Sequence, residues 1–462
     1  MKNSEKKDIG EGYLAPWERK FDRLLTPFEE FLHRQTTGSL LLVCMTVLAL
    51  FLANGPLAAL YNQAIHINFG VSLGDWSLSM NLHHWVNDGL MAIFFFVVGL
   101  ELKREFLVGE LAKVRNAILP IAAAVGGMVI PALVYYAVNP SGDAAVGWGI
   151  PMATDIAFAI GALALLNDRV PKTLITFLVA LAIVDDLGAV MVIALFYTDT
   201  ISLGPLATAL ALFGVLIVFN LAGVRNSLPY FIIAVVLWYA LYKSGVHATL
   251  AGILGALSVP AIPKYNPENF SERVQNLMQK FDQSRKPGKS IMTNIEMRAV
   301  VQSLETGVRK VQTPLQRLEH IWHMPVAYLV IPVFALFNAG IQLDFGSLGE
   351  TLVHPVVIGV SAGLIVGKFI GITGASWLVL KMGYADLPKG TSFSQIAGVS
   401  FLAGIGFTMS IFVAQLGFGE HGDLLLKAKT GILFASLLSG LIGLAWLYLV
   451  SNKPEMDLAQ EN

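Results

Sequence analysis

Residues 173–197 read TLITFLVALAIVDDLGAVMVIALFY, an apolar run with two adjacent carboxylates, Asp185 and Asp186, at its centre. A membrane-spanning helix needs roughly 20 mostly apolar residues, and this run is long enough. No cap or turn residue near the pair places it at a helix end. A charged side chain at the bilayer centre costs about 2.5–3.5 kcal/mol on insertion scales, so ionisable groups there mark function by default. Successive residues on a helix point about 100° apart, so both carboxylates can border one cavity without sharing a single proton. Desolvation penalises the charged form of a carboxyl group and lets it carry a proton. The same oxygens suit a hard cation such as Na+. One site can therefore hold protons or a metal ion in turn. A purely structural pair, bonded to Lys368 and nearby hydroxyls, is the weaker reading.

The rest of the chain extends this pattern. Of its 462 residues 55% are hydrophobic and 14% charged, with mean hydropathy +0.64, a balance suited to the bilayer as solvent. About twelve stretches are long and apolar enough to span: 37–55, 82–102, 117–138, 148–166, 173–197, 204–222, 228–241, 246–262, 324–341, 354–380, 396–416 and 430–451. The seventh and eighth are short. The predicted fold class is an all-α membrane protein. Before the first span, Trp17, Phe21, Leu24, Phe28 and Leu32 recur at helical spacing with Arg19, Lys20 and Arg23 between them, so 1–36 reads as a segment with an interfacial helix. No cleavage site follows the first apolar run, and no signal peptide is expected. The formal net charge of −1 and the lack of a GxGxxG or finger pattern argue against nucleic acid and nucleotide as partners. Membrane lipid is the expected partner. The single Cys44 excludes an intrachain disulfide framework.

Lys and Arg concentrate on the cytoplasmic side of short loops. With both termini cytoplasmic, the outer side holds Lys243, Lys427 and Lys429, Lys368 lies inside a span, and 27 of the 31 basic residues fall inside. Without the ten in the long inner loop 264–318 the ratio is still 17 to 3. That loop carries two patterned stretches, Phe270 to Phe281 and Leu304 to Trp322, broken at Pro287-Gly288 and Pro314. They read equally as a helical hairpin or as a solvated charged linker, in either case inserted into a single transmembrane domain, 37–451, followed by a cytoplasmic tail, 452–462. In the first outer loop Ile67, Phe69, Val71 and Leu73 alternate. Gly74-Asp75 follows, then Trp76, Leu78 and Met80 alternate, which predicts a small β-hairpin.

Two further charges lie at membrane depth, Asp155 in the fourth span and Lys368 in the tenth. The fourth span contains Gly147-Trp148-Gly149-Ile150-Pro151-Met152-Ala153-Thr154-Asp155 and the eleventh Ala403-Gly404-Ile405-Gly406-Phe407-Thr408-Met409-Ser410. Proline removes a backbone donor and glycine lowers helix propensity, so both spans should be interrupted. The freed groups are tolerated only when buried or lining a cavity. Half-helix ends carry about +0.5 charge at N-termini and −0.5 at C-termini, which Asp155 and Lys368 respectively could answer. Gly367 and Gly371 read as helix-packing positions. Both interruptions fall in the middle of a three-span group, spans three to five and ten to twelve. These groups enter from opposite sides, an inverted 3+3 repeat with its transport site at the midplane.

At this point the sequence resembles the NhaA family of sodium/proton antiporters. The stretches that carry the likeness are Ala153–Phe158, Ala182–Ala189, Lys243–Thr249 and Gly404–Ser410, with Trp85–Asp88 and Val98–Glu105. The resemblance implies two interrupted crossing helices (spans 4 and 11) and Na+ or proton binding by Asp185 and Asp186, supported by Thr154, Asp155 and Lys368. It implies electrogenic, pH-regulated exchange of cytoplasmic Na+ or Li+ for external H+ in a bacterial cell inner membrane, with no cofactor and a homodimer formed through the outer β-hairpin. It further assigns a pH response to Glu101, Glu105, Glu319 and His323, with His247 as an additional position. Segment 266–312 is longer than the corresponding family loop.

Enzyme readings find no support. Ala-Ile-Val precedes the aspartate pair where an intramembrane protease would need Gly-x-Gly-Asp. Glu319-His320 with His323 has the wrong spacing for HExxH, and Gln283 stands where a phosphate loop ending at Gly288-Lys289-Ser290 needs its first glycine. The nearest rival is a sodium-coupled symporter of the same architecture, which would need an organic-substrate pocket.

Overall fold

The computed structural model describes residues 35–451 apart from 75, 167–168, 199–200, 264–266, 286–290, 292, 343–345, 347 and 420. The expected interfacial helix before residue 35 and the tail beyond 451 lie outside the described residues. The chain is mostly helical. Among the described residues, ten helices are long and apolar enough to cross a membrane, and one bent pair adds up to an eleventh span. They leave large apolar side chains such as Leu195, Leu203, Leu221 and Leu449 facing outward. In water such a surface would be untenable, whereas against acyl chains it is the matched solvent. This is a multi-pass membrane protein.

In chain order, α1 (Gln35–Asn54) and α2 (Ala58–Ile65) lead into β1 (Asn68–Leu73) and β2 (Trp76–Asn81). These two strands pair antiparallel from Asn68↔Asn81 to Leu73↔Trp76, around a turn whose Gly74 has φ +60. The hairpin lies where the alternation placed it. Leu78 and Met80 of β2 are buried, whereas Phe69 and Val71 of β1 are exposed. The carbonyl oxygen of Phe69 accepts a hydrogen bond from Trp85 Nε1 at 2.9 Å, so the hairpin is anchored on its own chain.

The membrane helices that follow are α3 (Leu82–Val108), α4 (Val114–Val138), a span Asp143–Ala164 ending in α5 (Ile156–Ala164), α6 (Lys172–Phe196), α7 (Leu203–Leu221) and α8 (Ser227–Ser244). Gly245, at φ +82, closes α8 in the left-handed conformation. The expected eighth span, 246–262, contains only α9 (Leu250–Ser258), nine residues long. At 1.5 Å per residue that is about 14 Å, too short to cross alone. Turn residues at 245–249 before it and Pro260 after it set its limits. The long loop folds as α10 (Pro267–Gln283) and α11 (Ile295–Val311), packed on each other, with Met297 and Val300 buried and Gly307 beside the Phe270 ring.

The last helices are α12 (Pro314–Asn338), α13 (Pro355–Lys381), the bent pair α14 (Phe393–Leu402) and α15 (Phe407–Phe418), and α16 (Gly422–Val450). One contact among them positions the centre of the molecule. On α4 and α13, Gly126 and Gly371 meet backbone to backbone, and a side chain on either would strike the other's carbonyl oxygen. A Cβ on Gly367 would lie 2.7 Å from Pro131 Cα. Close approach through small residues is the usual device of membrane helix packing, and it confirms the packing role read for Gly367 and Gly371. A π-helical turn, Gly363–Gly367, immediately precedes Lys368. Such turns shift side-chain direction within a helix and recur at functional sites.

Candidate functional site

Asp185 and Asp186 sit at the middle of α6, fully withdrawn from solvent at 0% and 1% exposure. The α4–α13 contact brings Lys368, at 0% exposure, to the pair. Lys368 Nζ lies 2.5 Å from Asp185 Oδ2 and 3.0 Å from Thr154 Oγ1. Thr154 Oγ1 in turn lies 2.7 Å from Asp185 Oδ2 and 2.8 Å from the Ala403 carbonyl oxygen, either of which can take its single proton. Among the described residues, two buried carboxylate oxygens, Asp185 Oδ1 and Asp186 Oδ2, have no hydrogen-bond partner. Buried polar atoms are normally satisfied, so these two oxygens on neighbouring residues have acceptor capacity to spare.

Asp155 stands apart from the pair and does different work. Its Oδ1 accepts from Phe158 N at 3.0 Å, capping α5, and its Oδ2 accepts from Thr408 N at 3.0 Å and from Thr408 Oγ1. One carboxylate thus meets the N-terminal ends of both α5 and α15, where the helix dipole favours an anion. The interruption in the fourth span is the passage from a 3₁₀ segment, Asp143–Met152, through extended residues 153–155 into α5. The interruption in the eleventh is the 403–406 break, bent by 49°. The two breaks touch: Asp155 N donates to Ile405 O at 2.7 Å, and Ser410 Oγ donates to Ile150 O at 2.8 Å.

Of the two roles the sequence offers Lys368, an answer to negative helix ends and a bond to the aspartate pair with a nearby hydroxyl, the hydrogen bonds match the second, to Asp185 and Thr154. Its chain position on α13 directs the ammonium at the carboxylate. The carbonyl end at Ala403 is met by the Thr154 hydroxyl instead.

A family model described as Na+/H+ antiporter 1 matches residues 29–447. The chain belongs to this family. It is 55% identical over 432 residues to "Na(+)/H(+) antiporter NhaA 1" of Saccharophagus degradans, covering 94% of this chain and 93% of that one. Identity to "Na(+)/H(+) antiporter NhaA" of Sulfurimonas denitrificans is 50% over 437 residues, with 95% and 98% covered. The protein of that name from Syntrophobacter fumaroxidans is 49% identical over 434 residues, with 93% and 92% covered.

In this family member four of the five residues assigned to a pH response gather where α3 meets α12. His323 Nδ1 lies 3.3 Å from Glu101 Oε1, and Arg104 bridges Glu319 at 2.5 Å and Glu105 at 3.0 Å. Glu105 Oε2 also accepts from Glu110 N at 3.2 Å. Neighbouring Lys103 donates to the Leu257 and Val259 carbonyls at the end of α9. His247 is separate from this cluster, with Nε2 2.6 Å from the Tyr197 carbonyl oxygen. Sequence reading quoted Thr408 within a motif but gave it no role at the site. Its position two residues after a Gly-Ile-Gly break, in the first turn of a half-helix, was the available signal.

Proposed function

We propose that this protein is a secondary transporter, not an enzyme, that exchanges cytoplasmic Na+ or Li+ for external H+ across the bacterial inner membrane, with Asp185 and Asp186 as the shared ion and proton site. The observation that carries the reading is the pair of partnerless buried oxygens, Asp185 Oδ1 and Asp186 Oδ2, beside the Lys368–Asp185 ion pair. A cation needs deprotonated oxygens as ligands, and protonation removes them, so the two ions exclude each other at one place. Exchange follows when the site faces the two sides of the membrane in turn. Thr154 and Lys368 hold Asp185, and Asp155 holds the two broken spans together at their dipole ends.

The paired interruptions, each in the middle of a three-span group, support an inverted 3+3 repeat with crossing helices. With residues 246–262 completing a twelfth crossing around the short α9, the basic-residue bias supports both termini in the cytoplasm and the α10–α11 hairpin as a cytoplasmic insertion in one transmembrane domain. A proton excess over sodium would make the cycle electrogenic. The Glu101, Glu105, Glu319 and His323 cluster, with His247 apart, is assigned to pH regulation, since imidazole titrates near neutrality. Exposed β1, with Phe69 and Val71 outward, suits a homodimer through the hairpin. The test is sodium-dependent proton release from purified protein in liposomes. Robust release, lost in Asp186→Asn, is expected; release undiminished in that variant refutes the assignment.

A further inference from the structure

A second polar cluster lies on the hairpin side of the molecule, outside the site described above. It joins His83 and Asn87 of α3, Asn338 at the end of α12 and Gln415 of α15. Asn338 is fully buried while the other three are partly buried. Asn338 Oδ1 lies 3.1 Å from His83 Nε2 and accepts from Gln415 Nε2 at 3.1 Å. Asn338 Nδ2 donates to Asn87 Oδ1 at 2.8 Å. Gln415 Nε2 also approaches His83 Nε2 to 3.3 Å, and Asn87 Nδ2 is 3.5 Å from both His83 Nδ1 and His83 Nε2.

Directly beneath lies an aromatic layer. Phe412 precedes Gln415 by three positions and Phe334 precedes Asn338 by four, so each lies one turn deeper on its helix. The Phe412 ring is 5.5 Å from Phe95 and 6.2 Å from Phe334, and all three are buried. One further turn along α15 is Thr408, bonded to Asp155. The polar cluster therefore ties the far end of the half-helix whose near end holds the interrupted spans.

The donor and acceptor inventory makes this tie depend on one proton. Asn87 has its carbonyl oxygen committed to Asn338, so its NH₂ faces His83. A neutral imidazole protonated on Nε2 donates to Asn338 and leaves Nδ1 as an acceptor. An imidazolium sets a second N–H against the Asn87 NH₂, and turning that amide would break its bond to Asn338. The charged and titratable groups acting on His83 are Lys429 of α16, His66 after α2 and His84 on its own helix. A positive imidazole beside Lys429 adds repulsion.

We propose that His83 is a proton-controlled positioning residue of the outer mouth: neutral, it joins α3 to the Asn338–Gln415 pair of α12 and α15, and protonated, it breaks the Asn87–Asn338 bond and loosens that joint. This rests on the antiport reading and on the hairpin side facing out. The test is exchange of radiolabelled sodium in right-side-out membrane vesicles. Sodium is saturating on both faces, so that competition at the aspartates is relieved, and inner pH is fixed. Lowering outer pH from about 8 to about 4, a range that takes in the titration of a buried imidazole beside a cation, should speed wild-type exchange about fivefold, the effect of roughly one net hydrogen bond. His83→Gln should not respond, and neither protein should accelerate when the inner face of everted vesicles is acidified. A wild type that does not accelerate, or a His83→Gln protein that accelerates equally, overturns the proposal. If His83→Gln does not reach the membrane, Gln415→Leu decides: fast exchange at every outer pH supports the tie, and retained acceleration refutes it. Absence of wild-type sodium exchange at any pH defeats the antiport reading instead, so the two failures are distinct.

Discussion

Lys368 and Asp185 form an ion pair with both side chains at 0% exposure, Nζ to Oδ2 2.5 Å, although they are 183 residues apart. Removing one partner of a buried pair leaves an uncompensated charge and costs roughly 3–5 kcal/mol. Lys368→Ala should therefore lower the thermal unfolding midpoint in detergent, and Lys368→Ala with Asp185→Asn should regain much of the loss. A single variant as stable as wild type would remove the pair from the stability account.

Thr408 holds Asp155 through both its backbone N–H and its hydroxyl. A hydrogen bond to a charged group contributes about 1.5–3 kcal/mol, so Thr408→Val should reduce exchange by about tenfold or more, while Thr408→Ser retains it. Equal activity in Thr408→Val and wild type would deny the hydroxyl a role.

Gly371 meets the Gly126 carbonyl, whereas a Cβ on Gly374 of the same helix meets nothing within 4 Å. Gly371→Val should separate α4 from α13, displace Lys368 and abolish both stable folding and exchange, with Gly374→Ala unaffected. Comparable yields and rates for the two variants would contradict the packing account.

The α10–α11 hairpin lies apart from the buried charges at the centre. Replacing residues 268–312 with a short Gly/Ser linker should preserve exchange and at most shift its pH profile. Loss of all exchange in a folded deletion protein would make the hairpin part of the transport machinery.

What sequence revealed and what it hid divide along physical lines. Asp185, Asp186, Asp155 and Lys368 stood out because an ionisable group in an apolar run has few reasons to be there. The two interruptions were legible from Pro151 and from Gly404 and Gly406, and the hairpin from strict alternation around Gly74. A bond from Lys368 to the aspartate pair was one of two readings open in the sequence, and its choice of Asp185 depends on α4 and α13 meeting at Gly126 and Gly371. The Thr408–Asp155 partnership was not legible, because it needs two interrupted spans from distant parts of the chain to touch. His83, Asn87, Asn338 and Gln415 lie near span ends, where single polar residues are ordinary, and only their convergence distinguishes them. The eighth span came out shorter because apolarity continues through residues 246–249, where the backbone turns.

The central claim is that sodium and protons compete for Asp185 and Asp186, and initial rates across a sodium series at several pH values test it most directly. Lowering pH should raise the apparent KM for sodium before it lowers the maximal rate, so saturating sodium should restore most of the rate lost to acid. The same series in Glu319→Ala with His323→Ala should show only a modest shift along the pH axis. Acid inhibition that saturating sodium fails to relieve, in wild type and variant alike, would contradict a shared site.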